Sequence, residues 1–469
     1  MNTKAHQYPY YLIAVAIFLA LASPQLLADG MFMDGLYYAT VAHNLANGLG
    51  SFWELYLTET FHNPFREHPP LAMGLQSLFF KLAGSSLYVE RLYSVATFFL
   101  TGYFITRLWK LMSPSPYQSL AWLPLLFWAL TPLVPWAATN NMLENTLMIF
   151  TTASALFFIK GQLRQKWTYH LLAGLCLALA VLTKGLVGLF PLSMAFWFWV
   201  LKKEYRWPRF VKDTALLLAG TLLPFVLLFW LWPQSYQSLA GYFQKQIVGS
   251  LTQVQTVSSR FFIVGALFAQ QAIALGLCLV FWLFSRKLKG RLQFNPTWFW
   301  FLILLGLAGV LPIMVSLKQR AFYILATFPF FSLALAYAFK EPVYALTLRL
   351  RSKPFILSGM AMLFLVISLF LNLRQINSVG RDAQEIHDVR LILQKLPPHT
   401  TVSIPPGLHG NWSLHGYFHR YGTLSLDPKN PHPFYLARKN STASVPVGYQ
   451  KVPLGLQAYA LYQQVPAGL

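Results

Sequence analysis

Charge is scarce in this sequence, and acid is scarcest: 11% of the 469 residues are charged, with 14 Asp or Glu against 36 Lys or Arg. A soluble domain carries charge on about a quarter of its residues, so a chain that is water-facing throughout is excluded. Cysteine is nearly missing. Cys176 and Cys278 each lie inside an apolar run, which indicates neither a disulfide framework nor a cysteine metal site. No glycine-rich loop of the kind that cradles nucleotide phosphates occurs. No period of about 20 to 50 residues suggests a solenoid.

Long apolar runs fill the space that charge leaves. Hydrophobic residues make up 56% of the chain and aromatics 16%, with a mean hydropathy of +0.48. A hydrocarbon core about 30 Å thick takes about 17 to 25 apolar residues per helix. Eleven segments read as spans: 10–28, 88–106, 118–137, 144–159, 168–182, 186–201, 214–232, 261–284, 297–317, 321–339 and 354–373. The expected class is an all-α polytopic membrane protein. The first run contains LASPQLLADG, which faintly resembles a signal-peptide cleavage region, but the many spans after it favour an uncleaved first helix.

The net charge of +22 can signal nucleic acid, yet the basic residues sit in short clusters between apolar runs, as the orienting charges of membrane loops do. Membrane lipids, not nucleic acid, are the expected surroundings. With Lys4 on the cytoplasmic side, the cytoplasmic segments hold 19 of the 36 basic residues, the opposite loops 8, and the region after residue 373 the remaining 9. The acids fall the other way: Asp29, Asp34, Glu54, Glu59, Glu67, Glu90 and Glu144 all map to the outer side. The orienting rule counts Lys and Arg, so this skew calls for another cause, and function is one.

Two segments exceed a connector. The outer loop 29–87 contains PPLAMGLQSLFFKLAG, too short to span and suited to the interface. The tail 374–469 turns polar and proline-rich. There RDAQEIHDVRLILQKL has helical spacing, with Ile386, Val389, Leu391, Ile392 and Leu396 as an apolar stripe, while TTVSIPP and GTLSLD read as strands. The division expected is a transmembrane domain over 1–373, with the active site in loop 29–87, and a small outer α/β or α+β domain over 374–469.

Four stretches can carry chemistry. In MFMDGLYYATVAHNLANG, Asp34 follows the first span with Tyr37, Tyr38, His43 and Asn44; the bland reading is a helix N-cap. NPFREHPPL gathers Arg66, Glu67 and His68 before two prolines. His62, Glu67 and His68 can offer imidazole and carboxylate ligands to a divalent ion, or the charges can form surface ion pairs. In LTKGLVGLFPL, Thr183, Lys184 and Gly185 mark an outer turn, where Lys184 either snorkels to the interface or binds a phosphate. In SLKQRAFYILATFPFFSLALAY, Lys318 and Arg320 mark another outer turn one helical turn before Tyr323. Outer basic residues run against the orienting rule and suit anion binding.

Taken together, these stretches resemble the C-type, lipid-phosphosugar-dependent glycosyltransferases, and among them the protein O-mannosyltransferase and aminoarabinose-transferase superfamily, over about residues 10–340. That pattern has an acid after the first span (DGLYYATVAHNLANG here) and a Lys-Pro-Pro-Leu-like element preceded by Glu (EHPPL). A Thr-Lys-Gly turn and a basic outer turn before a Tyr-containing span follow. The resemblance implies a sugar linked to a polyprenyl phosphate as donor, transferred with inversion to a lipid, glycan or protein acceptor at the outer face of a bacterial inner membrane. It casts Asp34 as general base and Lys184, Lys318, Arg320 and His68 as phosphate-binding groups. Tyr37, Tyr38, Arg66, Glu67 and Tyr323 are expected to touch donor or acceptor.

Two departures stand out. His68 occupies a position where Lys is common, and the loop before the eighth span, YFQKQIVGSLTQVQTVSSRF, lacks the His that some relatives use to bind metal. No cofactor is required by the pattern, and a divalent metal at Glu67 and His62 stays open. A transporter or flippase and a polysaccharide polymerase or ligase are the rival classes. A transporter calls for internal repeats, interrupted helices and mid-span ionisable residues, whereas here charge collects at one face.

Overall fold

With no water to satisfy backbone groups in a bilayer core, a spanning segment closes its own hydrogen bonds as helix, and the apolar runs do so throughout the computed structural model, which describes residues 7–249, 255–286, 296–439 and 445–465. The helices in chain order are α1 (Tyr8–Ala22), α2 (Met33–Ala46), α3 (Leu71–Ala83), α4 (Val89–Met112), α5 (Trp122–Ala129), α6 (Leu133–Thr139), α7 (Leu143–Arg164) and α8 (Thr168–Lys184). They continue with α9 (Met194–Leu201), α10 (Trp207–Leu231), α11 (Pro233–Tyr242), α12 (Phe262–Arg286), α13 (Pro296–Val310), α14 (Phe328–Leu350) and α15 (Pro354–Leu373). Lys4, and Lys287, Lys289 and Arg291 of one basic loop, lie outside the described residues.

Helical segments stand at all eleven positions read as spans. Among the described residues, seven are long and apolar enough to cross a membrane, or eight if the pair Ser115–Ala129 and Leu133–Thr139, bent by 75°, counts as one. The difference has local causes. The first helix is only 15 residues long, α4 carries Glu90, Arg91, Arg107 and Lys110, and the third run is broken near Pro132. Residues 168–201, read as two spans, count as one of the seven, with a local break where Gly185 adopts φ +75° and the space for a Cβ on Gly188 is taken by Ala180 at 2.8 Å. The expected Thr-Lys-Gly turn is therefore present.

Small residues let the helices approach. Thr221 Oγ1 of α10 donates to the Gly174 carbonyl at 3.2 Å, and Gly174 and Gly220 have no room for side chains between α8 and α10. Asn372 of α15 donates to the Leu19 carbonyl of α1 at 2.8 Å, which binds the last membrane helix to the first. The predicted interfacial stretch is α3, and α2 lies beside it in the same loop.

The tail holds α16 (Ala383–Lys395), α17 (Trp412–Gly422) and five strands: β1 (Thr401–Ser403), β2 (Ser425–Asp427), β3 (Phe434–Arg438), β4 (Tyr449–Lys451) and β5 (Tyr459–Gln464). The sheet order is β2-β1-β3-β5-β4, with β1 parallel to β2 and β3, and β5 antiparallel to β3 and β4. Both strands and the helix read from sequence are present. Ile386, Val389 and Ile392 are fully buried and Leu391 only partly; each fully buried side chain of this kind contributes about 1.5–3 kcal/mol.

This small domain is fastened to loop 29–87. Tyr417 Oη donates to Asp382 at 2.8 Å and accepts from the Met31 amide at 3.3 Å. Arg420 forms a buried 2.9 Å ion pair with Glu90 and donates to the Ser85 and Ser86 carbonyls. Asp29 pairs with Arg390 and accepts from Tyr421 Oη at 2.5 Å. Thr60 Oγ1 donates to the Leu426 carbonyl at 2.9 Å.

Candidate active site

Asp34 owes its position to the packing of the first turn of α2. The Phe32 amide donates to Asn140 Oδ1 at 2.7 Å, and Gly35 lies so close to the Asn140 carbonyl that no other residue fits. Phe32, not Asp34, is the N-cap, and no side-chain cap forms. The capping reading is thereby corrected: Asp34 is the second residue of the helix, and its carboxylate accepts no hydrogen bond from the described residues. It remains partly exposed at a helix N-terminus, where the backbone dipole favours an anion. Burial nevertheless pushes its pKa up to about 6. Lys184 opposes that rise, Glu144 adds to it, and Arg320 and Lys318 oppose it at lesser strength.

Lys184 closes α8. The next residue must be glycine, because a Cβ on Gly185 collides with Tyr242, whose hydroxyl donates to the Lys184 carbonyl at 3.2 Å. The ammonium does not snorkel to water. It forms a buried ion pair with Glu144 Oε1 and lies 5.6 and 5.5 Å from the ring centres of Phe322 and Tyr323. Glu144 Oε2 has no partner.

A second polar chain runs beside this pair. Glu67 Oε1 meets Lys245 Nζ at 2.5 Å, Glu67 Oε2 accepts from Gln246, and Gln246 Oε1 accepts from Lys318 Nζ at 3.0 Å. Burial pulls the Lys318 pKa down, while Glu67 and Asp34 act to raise it. His68 sits 5.4 Å from Tyr38 and 6.4 Å from Tyr242, ring to ring. Its pKa lies well below the usual imidazole range because of burial, and Lys184 and Lys318 depress it further, so it stands there as a neutral ring. Tyr38 and Tyr37 are buried and held in the phenol form by burial and by the nearby carboxylates. The Tyr37 hydroxyl has no partner.

The structure thus gathers Asp34, Tyr38, Glu67, His68, Lys184, Lys318 and Tyr323. Arg320 is exposed and acts on Asp34 through space. Arg66 packs its chain on Gly241 of α11. His62 belongs elsewhere: it stacks on Phe61 at 4.2 Å and meets Trp412 of the tail at 4.9 Å, and Tyr37 bridges to the same Trp412 at 5.2 Å. The open metal reading does not fit these donors. Both Glu67 oxygens already face Lys245 and Gln246, and among the described residues no three His, Cys, Asp or Glu side chains converge on one point. The same holds for His415 and His419, four residues apart on α17. They are buried, with His415 stacked 4.3 Å from Phe61.

Three members of the site escaped the sequence reading: Glu144, Lys245 and Gln246. Glu144 carried a signal, being the lone acid of α7, since an acid inside a membrane helix needs a partner. Lys245 and Gln246 carried none, because only folding brings the turn Phe243–Val248 against Glu67.

Helical bundle, loop and tail together define the C-type glycosyltransferase fold. Residues 67–232 match the family model described as dolichyl-phosphate-mannose-protein mannosyltransferase. No curated protein sequence matches the chain. Among solved structures, ArnT from Cupriavidus metallidurans bound to undecaprenyl phosphate is similar over 97% of this chain and 98% of its own, with 16% identity and a TM-score of 0.68. The apo form of the same protein gives 15% identity and 0.65 over 96% of each chain. The apo oligosaccharyltransferase from Archaeoglobus fulgidus gives 12% and 0.54, over 90% of this chain and 65% of that longer one. At these identities the likeness shows the fold, and it is the C-type glycosyltransferase fold expected from the sequence.

Proposed function

We propose that this protein is an inverting glycosyltransferase that moves a sugar from a polyprenyl-phosphate donor to an acceptor hydroxyl or phosphate. The observation that carries the reading is one uncapped carboxylate, Asp34, set against buried and half-buried cations. The likeness to a structure bound to undecaprenyl phosphate supports the donor class. Asp34 takes the acceptor proton, or orients an acceptor phosphate that arrives already ionised. The acceptor oxygen bonds to the anomeric carbon as the bond to the donor phosphate breaks on the opposite face, and polyprenyl phosphate leaves with the electron pair. Lys184 and Lys318, with Arg320 farther out, offset the charge that grows on that phosphate. Tyr37 and Tyr38 offer phenolic hydroxyls, and Glu67 a carboxylate, to sugar hydroxyls; Tyr323 flanks the same space.

The positive-inside bias supports a cytoplasmic N-terminus with the site and tail on the opposite face, and the resemblance supports a bacterial inner membrane, where that face is the periplasm. Lipid A phosphate, a Ser or Thr of an exported protein and a glycan hydroxyl are all acceptors this chemistry can use. The test is transfer or hydrolysis of radiolabelled polyprenyl-phosphate sugars by purified protein, with Asp34→Asn alongside. Loss of a general base costs about 10²–10⁴-fold. Label movement in wild type alone supports the reading, and an Asp34→Asn protein of full activity overturns the base assignment.

A further inference from the structure

A second cleft opens on the other side of the segment that carries Asp34. Met31 and Leu36 line it. Two residues along a helix turn roughly 200°, so Leu36 faces away from the direction of Asp34. The cleft is about 210 Å³ in volume, and its lining includes the charged residues Asp29, Glu90, Arg91 and Arg390. An apolar groove of about 410 Å³ adjoins it, lined by Leu26, Leu27, Val89, Leu92 and Val95. Tyr88 and Arg91 belong to both.

Arg91 decides what fits there. It is only 5% exposed, and its Nη2 donates to the carbonyls of Ala28 at 3.2 Å and Gly30 at 2.7 Å. Its Nη1 has no partner. The neighbouring carboxylates are already matched, Glu90 by Arg420 and Asp29 by Arg390. One buried guanidinium therefore remains held by neutral carbonyls, and an anion is its natural complement. The groove beside it leads along α4, where Leu92, Phe99 and Tyr103 are 54%, 50% and 53% exposed and share one helical face.

We infer that this seam is a binding site for an anionic glycerophospholipid of the surrounding bilayer. Its phosphate meets Arg91 Nη1 and the exposed edge of Arg390, and an acyl chain lies in the groove of Leu26, Leu92 and Val95. Bound there, the lipid ties residues 28–31 to α4 and to the tail without touching the reacting atoms. The inference does not depend on the sugar-transfer reading.

The experiment is native mass spectrometry and thermal unfolding of the full-length protein in detergent, with dioleoyl phosphatidylglycerol, dioleoyl phosphatidylcholine or inorganic phosphate added. The expected result is one phosphatidylglycerol per chain, bound about tenfold more tightly than phosphatidylcholine, with a rise in the unfolding temperature that phosphate alone does not give. Arg91→Gln is expected to abolish the preference. Because Arg91 also holds residues 28–30, Leu92→Trp supplies the control: it fills the groove from an exposed position and should weaken phosphatidylglycerol by about tenfold while leaving the lipid-free unfolding temperature unchanged. Equal binding of the two lipids, a matching shift with inorganic phosphate, or full binding to Leu92→Trp overturns the inference.

Discussion

Replacing Glu144 by Gln keeps the side-chain shape and removes the charge that Lys184 faces. The pair is deeply buried, with side-chain exposures of 9% for Lys184 and 0% for Glu144, so solvent screens it little. Removing one partner of such a pair costs about 3–5 kcal/mol, because an unmatched charge stays behind. The rings of Phe322 and Tyr323, at 5.6 and 5.5 Å, retain part of the stabilisation of the ammonium at about 0.5–2 kcal/mol each. The loss expected is therefore near the low end, about 3 kcal/mol. A second change, Lys184→Met, deletes the orphaned charge, and the double variant should return to within about 1 kcal/mol of wild type. The assay is thermal unfolding in detergent of all four members of the cycle, with and without undecaprenyl phosphate. If the donor phosphate docks at Lys184, it replaces the missing negative charge, so Glu144→Gln should gain more stability from the lipid than wild type does. Equal stability of Glu144→Gln and wild type, or equal gains from the lipid, would refute the argument.

Transfer should fall with acid. With Asp34 as the proposed base, the active form is the ionised carboxylate, whose pKa is pushed up to about 6, so the rate should drop about tenfold per pH unit below 6 and level off above it; a flat profile from pH 5 to 8 would exclude this base. Since Glu144 helps to raise that pKa, the midpoint in Glu144→Gln should shift to lower pH, read from the same rate profile. Lys184→Ala should reduce use of the donor more than use of the acceptor, and an unchanged dependence on donor concentration would leave Lys184 only a structural part. Arg420→Gln removes a cation that is 3% exposed and paired with Glu90 at 2.9 Å. It should loosen the tail by about 3–5 kcal/mol, seen as faster proteolysis between Leu373 and Ala383 while the bundle stays intact.

The fold was legible because membrane helices write themselves as length and hydropathy, and because the tail changes composition where the last apolar run ends. Much of the site was legible for a related reason. Asp34, Glu67, Lys184 and Lys318 are charges in places where the bilayer makes charge costly, and the structure draws them together. What could not be read is what depends on two distant segments meeting. Gln246 joins Glu67 to Lys318 only once α11 folds back over the loop. His62, grouped with Glu67 by its nearness in sequence, turns toward Trp412, 350 residues away, because aromatic packing there outweighs proximity. Glu144 counted as one more outer acid until the chain placed it under Lys184.

The hydrogen bonds between Tyr417 and Met31 join residues 386 positions apart, and this separation has a consequence for biosynthesis. The loop that carries Asp34 leaves the ribosome long before the helix that braces it. A nascent fragment can already form the bonds that Arg91 and Asn140 give residues 28–32, but a chain cut short before residue 417 lacks the brace from the tail. A stalled or truncated product would therefore insert into the membrane with the segment around Asp34 held from the bundle side alone.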